Sequence, residues 1–304
     1  MAHSDQPALC AENRHRDEWA RHELFQALGA RSLRVPCLHS NAALRGNEMQ
    51  RPLILLSNDD GYRSLGITTL KQELSTWADV ILCAPDVEQS AASHALSINR
   101  PLRLFSHEAS VFSVDGTPAD TVYLALNLEG FLPKLPDLVV SGLNHGLNLG
   151  RDVFYSGTVA AAREAALSGH VALAVSAARE ADISQAARAA SELAQAVVRS
   201  GLKGSRLFNA NFPAAGSWEV VSTRLGERVY SGGLVARTDP RGQRYFWVGG
   251  TNARHEHVHG SDTDAYDQGK VGLTPLLLDL WSSHLEADAA LVVGSLEKSI
   301  PPQG

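Results

Sequence analysis

From Pro52 to Pro213 the chain alternates short runs of consecutive apolar residues with longer stretches whose apolar positions recur every three or four residues. The runs predict strands at Leu53 to Leu56, Val80 to Ala84, Asp137 to Val140, Val171 to Val175 and Arg206 to Asn209. Their apolar residues are mostly consecutive, the pattern of strands covered on both faces. The longer stretches predict helices at Ser64 to Thr76, from Thr117-Pro118 onward, at Ser156 to Ser168 and at Ser184 to Ser200. Thr117 suits an N-cap and Pro118 a first helical turn, while Gly169 and Gly201 suit the left-handed residue that ends a helix. Strand and helix in alternation feed a mainly parallel sheet with helices on both faces, so the expected fold is α/β, a three-layer sandwich.

The regularity stops at Pro213. Residues 214–270 are rich in Gly, Thr, Arg and Asp, with β-like pieces such as Tyr245 to Val248, which predicts antiparallel hairpins and so a C-terminal β-rich excursion. A short helix is expected around Asp279 to His284, and Asp262 is the one acidic residue singled out in this lobe. The first 50 residues are charged and contain several His, with one helix-compatible stretch, Asp17 to Leu28. Three parts are therefore expected. Residues 1–50 form an extension, read either as a disordered tail or as the product of a start codon upstream of Met49. Residues 51–213 form the α/β core, and residues 214–304 a lobe that shapes the pocket or the subunit contacts.

Composition narrows the function classes. A chain of 304 residues with 44% hydrophobic content buries a substantial core. A net charge of −6 gives no general attraction for duplex nucleic acid or an anionic membrane, so any phosphate site rests on a cation, backbone amides or a few placed side chains. Cys10, Cys37 and Cys83 form no C-x-x-C pair and no even framework, which points to a reducing compartment and away from a thiolate metal site. No apolar stretch reaches the roughly 18 residues of a membrane span, and no apolar signal core opens the chain. The expected location is cytoplasmic.

Polar loops follow three of the predicted strands, at the sheet edge where α/β proteins place ligands. Asn58-Asp59-Asp60-Gly61 follows the first; alone it reads as a turn, but its paired hard oxygens suit Mg²⁺ or Mn²⁺. Ala84 to Ser93 follows the second, where Ser90 is either a hydroxyl ligand or a helix cap. Ser141 to Gly150 follows the third, with closely spaced glycines and the amide groups of Asn144 and Asn148. Next, Ser156-Gly157-Thr158 opens a helix with free amides, two hydroxyls and the positive end of the helix dipole, a cradle for phosphate. The combination points to phosphoryl chemistry. His94 and His145 lie near these segments and read as loop residues.

Leu53 through Gly61, Ser141 through Gly150 and Tyr155 through Ala162 resemble the SurE family of survival-protein nucleotidases. Gly116 to Asp120, Asp239 to Gly242 and Thr274-Pro275-Leu276 extend the resemblance over residues 51 to 285. The resemblance implies a Rossmann-like core, one divalent metal ion per subunit, and hydrolysis of nucleoside 5′- and often 3′-monophosphates. It also implies polyphosphate as a further substrate class and homodimers or homotetramers built through C-terminal exchange. Carried over position by position, Asp59, Asp60, Ser90 and Asn144 match the metal ligands, with the two aspartates also catalytic. Asn58, Asn148, Ser156, Gly157 and Thr158 match the phosphate pocket. Three departures border that pocket: Ala91 where the family has Gly, Leu65 where it has Pro, and the segment Tyr62 to Ser64. A non-catalytic nucleotide-binding protein is the first alternative, and the intact ligand set counts against it. A dinucleotide-dependent oxidoreductase is the second, and no G-x-G-x-x-G follows the first strand. Whether water or an aspartate attacks phosphorus stays open at this level.

Overall fold

The computed structural model describes residues 51–231, 234–248 and 252–297, so the expected extension, Asp17 to Leu28 included, lies outside the described residues. The first half runs β1 (Leu53–Ser57), α1 (Leu65–Leu74), β2 (Asp79–Pro85), β3 (Leu104–Glu108), β4 (Val111–Val114), α2 (Pro118–Asn127) and β5 (Leu138–His145). A 3₁₀ turn (Gly150–Phe154) leads into α3 (Gly157–Leu167), β6 (Val171–Ala177), α4 (Ile183–Arg199) and β7 (Arg206–Phe212). The lobe adds β8 (Val220–Ser222), β9 (Glu227–Ser231), β10 (Leu234–Thr238), β11 (Arg244–Val248), β12 (Asn252–Glu256), α5 (Asp262–Asp267) and β13 (Val271–Pro275). A second 3₁₀ turn (Ser283–Leu285) and α6 (Glu286–Glu297) follow.

Among the described residues nine strands join in the order β3-β4-β2-β1-β5-β6-β7-β13-β8. The six from β4 to β7 are mutually parallel, β3 pairs antiparallel with β4, and β13 lies antiparallel to β7 and parallel to β8. Successive strand residues serve opposite faces. Ile54 and Leu56 pack with Leu70 and Leu74 of α1 and Ala187, Ala190, Ala194 and Val197 of α4. Leu55, between them, packs on the other face with Val122 of α2 and Val159 and Ala162 of α3. These are the two outer layers of the expected α/β sandwich. Each fully buried Leu, Ile or Val contributes about 1.5–3 kcal/mol.

Helix starts follow the local chemistry. At α2, Thr117 Oγ1 accepts from the Asp120 amide at 3.1 Å while the Asp120 carboxylate accepts from the Thr117 amide at 2.9 Å, a reciprocal cap. The Asp182 carboxylate caps α4 through the Ser184 and Gln185 amides.

Two expectations change. The region Asp279 to His284 is not a helix, because the Asp279 carboxylate takes the Trp281 amide in a local turn, and the last helix begins only at Glu286. The segment beyond Pro213 is more than hairpins, since β8 and β13 extend the main sheet. The expected hairpins are present as β10–β11 and β9–β12.

Strand order decides where a ligand goes. From β1 the chain winds outward to β2 and β4 on one side and then crosses to β5, β6 and β7 on the other. The winding reverses between β1 and β5, and open α/β sheets bind ligands at the carboxyl ends of the strands beside such a reversal.

Candidate active site

Ser57, the last residue of β1, is the register partner of Ser141 within β5, so the loop after β1 lies beside the second half of β5 at the reversal. Asn58 Nδ2 donates to Gly61 O at 3.0 Å and Ser64 Oγ at 2.9 Å, which fixes the first turn and aims the two aspartates. Asp59 is buried at 5% exposure and accepts a hydrogen bond from Thr158 Oγ1 at 2.5 Å. Gly157 makes this possible, because a Cβ there would stand 2.7 Å from Asp59 Cβ. Asp60 is half-buried and takes the backbone N–H of His145.

β5 reaches the site through an irregularity. Its pairing with β6 slips between Ser141 and Asn144, where Gly142 adopts φ +140°. A Cβ at Gly142 would lie 2.3 Å from Val175 O, so only glycine admits this approach. The slip delivers Asn144 to the edge. Asn144 Nδ2 donates to Gly146 O at 2.7 Å, which leaves Oδ1 as the group to meet a cation.

Ser156 caps α3, its Oγ accepting from the Val159 amide at 3.0 Å. The first amides of that helix have no acceptor within it and favour negative charge. The loop carrying Ser90 is tied to the same place. Gln89 N donates to Asp59 O at 2.8 Å, Ser93 Oγ to Phe154 O at 2.7 Å, and His94 Nε2 lies 2.7 Å from Glu164 Oε2 on α3. Ser90 Oγ is exposed and donates to Glu88 Oε1 at 2.7 Å. Asn148 faces inward, its Nδ2 donating to Ser176 Oγ and its carbonyl accepting from Asn209 and Asn211, so it braces the loop beneath the edge.

The residues fit a divalent cation. No Lys, Arg or His among the described residues forms an ion pair with Asp59 or Asp60. Burial pushes the Asp59 carboxyl up to about 6, with the neighbouring Asp60 charge adding to it, and burial raises Asp60 as well. Ser57 Oγ, Asn58 Oδ1 and Ser141 Oγ are buried at the same strand ends without hydrogen-bond partners. Asp60 feels the more distant charges of Arg179 and His145. Two carboxylates outside any ion pair, a hydroxyl and an amide oxygen are the hard donors that Mg²⁺ or Mn²⁺ takes. Among the described residues no three His, Cys, Asp or Glu side chains gather at ligand spacing, so a cation here would draw on the Ser and Asn oxygens beside the two aspartates.

One residue singled out in the sequence without a role acquires one in the structure. Asp262 lies outside the donor set and joins the lobe to the site's approach. Its carboxylate accepts the Gly150 amide at 2.9 Å, the Gly226 amide at 2.7 Å and the Thr263 amide at 2.9 Å. Arg228 and Tyr230 of β9 reinforce this junction by holding Asp152 in the 3₁₀ turn that leads to Ser156.

The same segments are shared with known proteins. Residues 54–232 match the family described as Survival protein SurE. The chain belongs to the SurE family. A SurE relative from Sorangium cellulosum, named 5′-nucleotidase SurE, is 53% identical over 251 residues, covering 81% of this chain and 97% of its own. Another of that name from Anaeromyxobacter sp. is 48% identical over 237 residues, covering 76% and 91%. The crystal structure of the SurE protein from Aquifex aeolicus aligns with a TM-score of 0.69 at 32% identity, covering 79% of this chain and 99% of that one. The Rossmann-like α/β fold is therefore that of the family.

Proposed function

We propose that this chain is a divalent-metal-dependent phosphomonoesterase that hydrolyses nucleoside 5′-monophosphates to nucleoside and phosphate. The observation that carries the reading is the placement of the buried, uncompensated Asp59 carboxylate against the N-terminus of α3 at the sheet's reversal. Asp59, Asp60, Ser90 Oγ and Asn144 Oδ1 would hold the cation. When bound, the cation neutralises phosphate oxygens and acidifies a water molecule. The amides of Gly157 and Thr158, with the Ser156 hydroxyl, receive the phosphate and stabilise charge that develops on it. Thr158 fixes Asp59 by its hydroxyl, and Asp60, the more open of the pair, orients the attacking water and takes its proton. Asn58 holds the turn that sets both angles.

Helix amides and hydroxyls do not read which ribose carbon bears the ester, which supports 3′-monophosphates and terminal phosphates of polyphosphate as further substrates. Homodimers or homotetramers are supported by large apolar side chains left exposed in the lobe, among them Trp247, Leu280 and Leu291 at 63%, 87% and 71%. The division at Pro213 into a catalytic core and a lobe that makes subunit contacts belongs to the same proposal. Among the described residues no helix is long and apolar enough to cross a membrane, and a cytoplasmic location is part of this reading. The test is phosphate release from 5′- and 3′-mononucleotides and polyphosphate with Mg²⁺, with Mn²⁺ and with EDTA. Release that requires metal is the expected result, and no release by folded, metal-loaded protein would overturn the proposal.

A further inference from the structure

Asn58 anchors the front of the turn that carries Asp59 and Asp60, and a relay of side chains outside the metal and phosphate sites anchors its rear. Tyr62, two residues beyond Asp60, is buried, and its ring stacks on that of His107 with centroids 4.1 Å apart and planes 12° off parallel. The Tyr62 hydroxyl lies 3.4 Å from His107 Nδ1, and His107 Nε2 lies 2.8 Å from Ser113 Oγ. Ser113 Oγ in turn donates to Asp86 Oδ1 at 3.0 Å. His107 belongs to β3, Ser113 to β4, and Asp86 and Tyr62 to the loops after β2 and β1, so four adjacent strands supply the relay. His107 meets its partners where β3 bulges: Ser106 pairs with Phe112 and Glu108 with Val111, which leaves His107 as the extra residue. A bulge of this kind interrupts the ladder and re-aims a side chain.

The hydrogen bonds of the relay run in one direction. A carboxylate only accepts, so the Ser113 proton goes to Asp86, and Ser113 Oγ takes its bond from His107 Nε2–H. Nδ1 of that tautomer is the acceptor left for the Tyr62 hydroxyl. We propose that His107 and Tyr62 are positioning residues for the hydrolysis, a role that rests on the nucleotidase reading: their relay fixes the rear of the aspartate turn and with it the angle of Asp60. The backbone clasps the turn from the same side, Tyr62 N donating to Pro85 O at 3.0 Å and Gln89 N to Asp59 O at 2.8 Å. Both bonds tie the turn to the loop of Ser90, and Asp86, the end of the relay, lies in that loop between Pro85 and Gln89. Asp59 is held independently by Thr158, whereas Asp60 takes only the backbone N–H of His145, so a loosened relay displaces Asp60 first. His107 and Tyr62 thus act through Asp60 and touch neither metal nor substrate.

The experiment measures kcat and KM for AMP under saturating Mn²⁺, Mn²⁺ affinity by calorimetry, and the denaturation midpoint, all in the full chain. His107→Ala removes the relay, and His107→Gln keeps an acceptor and a donor at its two ends. Tyr62→Phe keeps the stacked ring, removes the hydroxyl and carries the same test should His107→Ala fail to fold, although His107 is exposed on an edge strand. The expected result for His107→Ala and Tyr62→Phe is a fall of about tenfold or more in kcat, with KM within about twofold and Mn²⁺ affinity weakened alongside. In His107→Gln kcat recovers to within about threefold of wild type. A kcat and Mn²⁺ affinity unchanged in folded His107→Ala would overturn the inference while leaving the nucleotidase standing. Equal losses in the Ala and Gln variants that track a lowered midpoint would mark a purely structural role and overturn it too. A wild type that binds Mn²⁺ but releases no phosphate from AMP would overturn the nucleotidase reading and the inference together.

Discussion

Asp59 and Asp262 are both buried aspartates whose carboxyls burial pushes above the usual range, yet they sit in opposite circumstances. At the lobe junction, Asp262 receives three backbone amides, and both oxygens are used. At the sheet edge, Asp59 has one short hydroxyl bond from Thr158, a like charge beside it in Asp60, and orphan oxygens around it on Ser57, Asn58 and Ser141. A carboxylate saturated by its own fold holds structure together. One that the fold leaves short of donors and cations is kept for a ligand. The same contrast runs through the backbone. The left-handed residue at the junction is a glycine, Gly150 at φ +53°, whereas the loop of Ser90 places Ala91 and Ser93 at +58° and +52° and so carries strain beside the site.

Exchanging the chemistry of these two residues breaks the comparison most sharply. Asp59→Asn keeps shape and the Thr158 contact, so the folded protein survives while kcat for AMP falls about a thousandfold, measured under saturating Mn²⁺. Asp262→Ala does the reverse. Orphaning the amides of Gly150 and Gly226 costs about 4 kcal/mol in denaturant unfolding, and any activity lost recovers with conditions that restore folding.

A third test uses pH on the metal-free protein. The Asp59 carboxyl lies near 6 in the fold against 3.8 in the unfolded chain, so the folded state holds the proton more tightly. That stabilisation is complete below about pH 4 and disappears as the pH rises through 6, a loss of about 3 kcal/mol. Thermal melts of the metal-free wild type should therefore decline between pH 4.5 and pH 7 more steeply than those of Asp59→Asn, and parallel curves would show that burial of this charge has no energetic consequence. The smallest effect is expected at the strained loop. Ala91→Gly relieves a left-handed alanine and raises stability by about 1 kcal/mol, read as a shift of the denaturation midpoint.

The central sheet and the polar loops at its edge were legible in the sequence for a physical reason. Leu53 to Leu56 and Val171 to Val175 are buried on both faces, and their uninterrupted apolar runs announce it. The polar loops after β1, β2 and β5 likewise had to lie at one edge once the strands were parallel. The hairpin of β3 and β4 was missed because β3 is exposed along most of its length and carries no clear alternation. The role of Asp262 was invisible because its partners, Gly150 and Gly226, are backbone amides lying 112 and 36 residues away, and no side-chain motif marks them. Arg179 escaped notice for a similar reason, since it lies beyond β6, far along the chain from Asp60, and only the fold brings the two to one cavity, which Leu65, noted in the sequence as a departure, also lines.

The most direct test of the account is a calorimetric titration of metal-free protein with Mn²⁺, wild type beside Asp59→Asn. We expect one ion per chain in the wild type, with proton release near neutral pH, and affinity weakened by at least about a hundredfold in the variant. Equal affinity in the two proteins, or no binding by the wild type, would contradict the assignment of this sheet edge as the metal-dependent site.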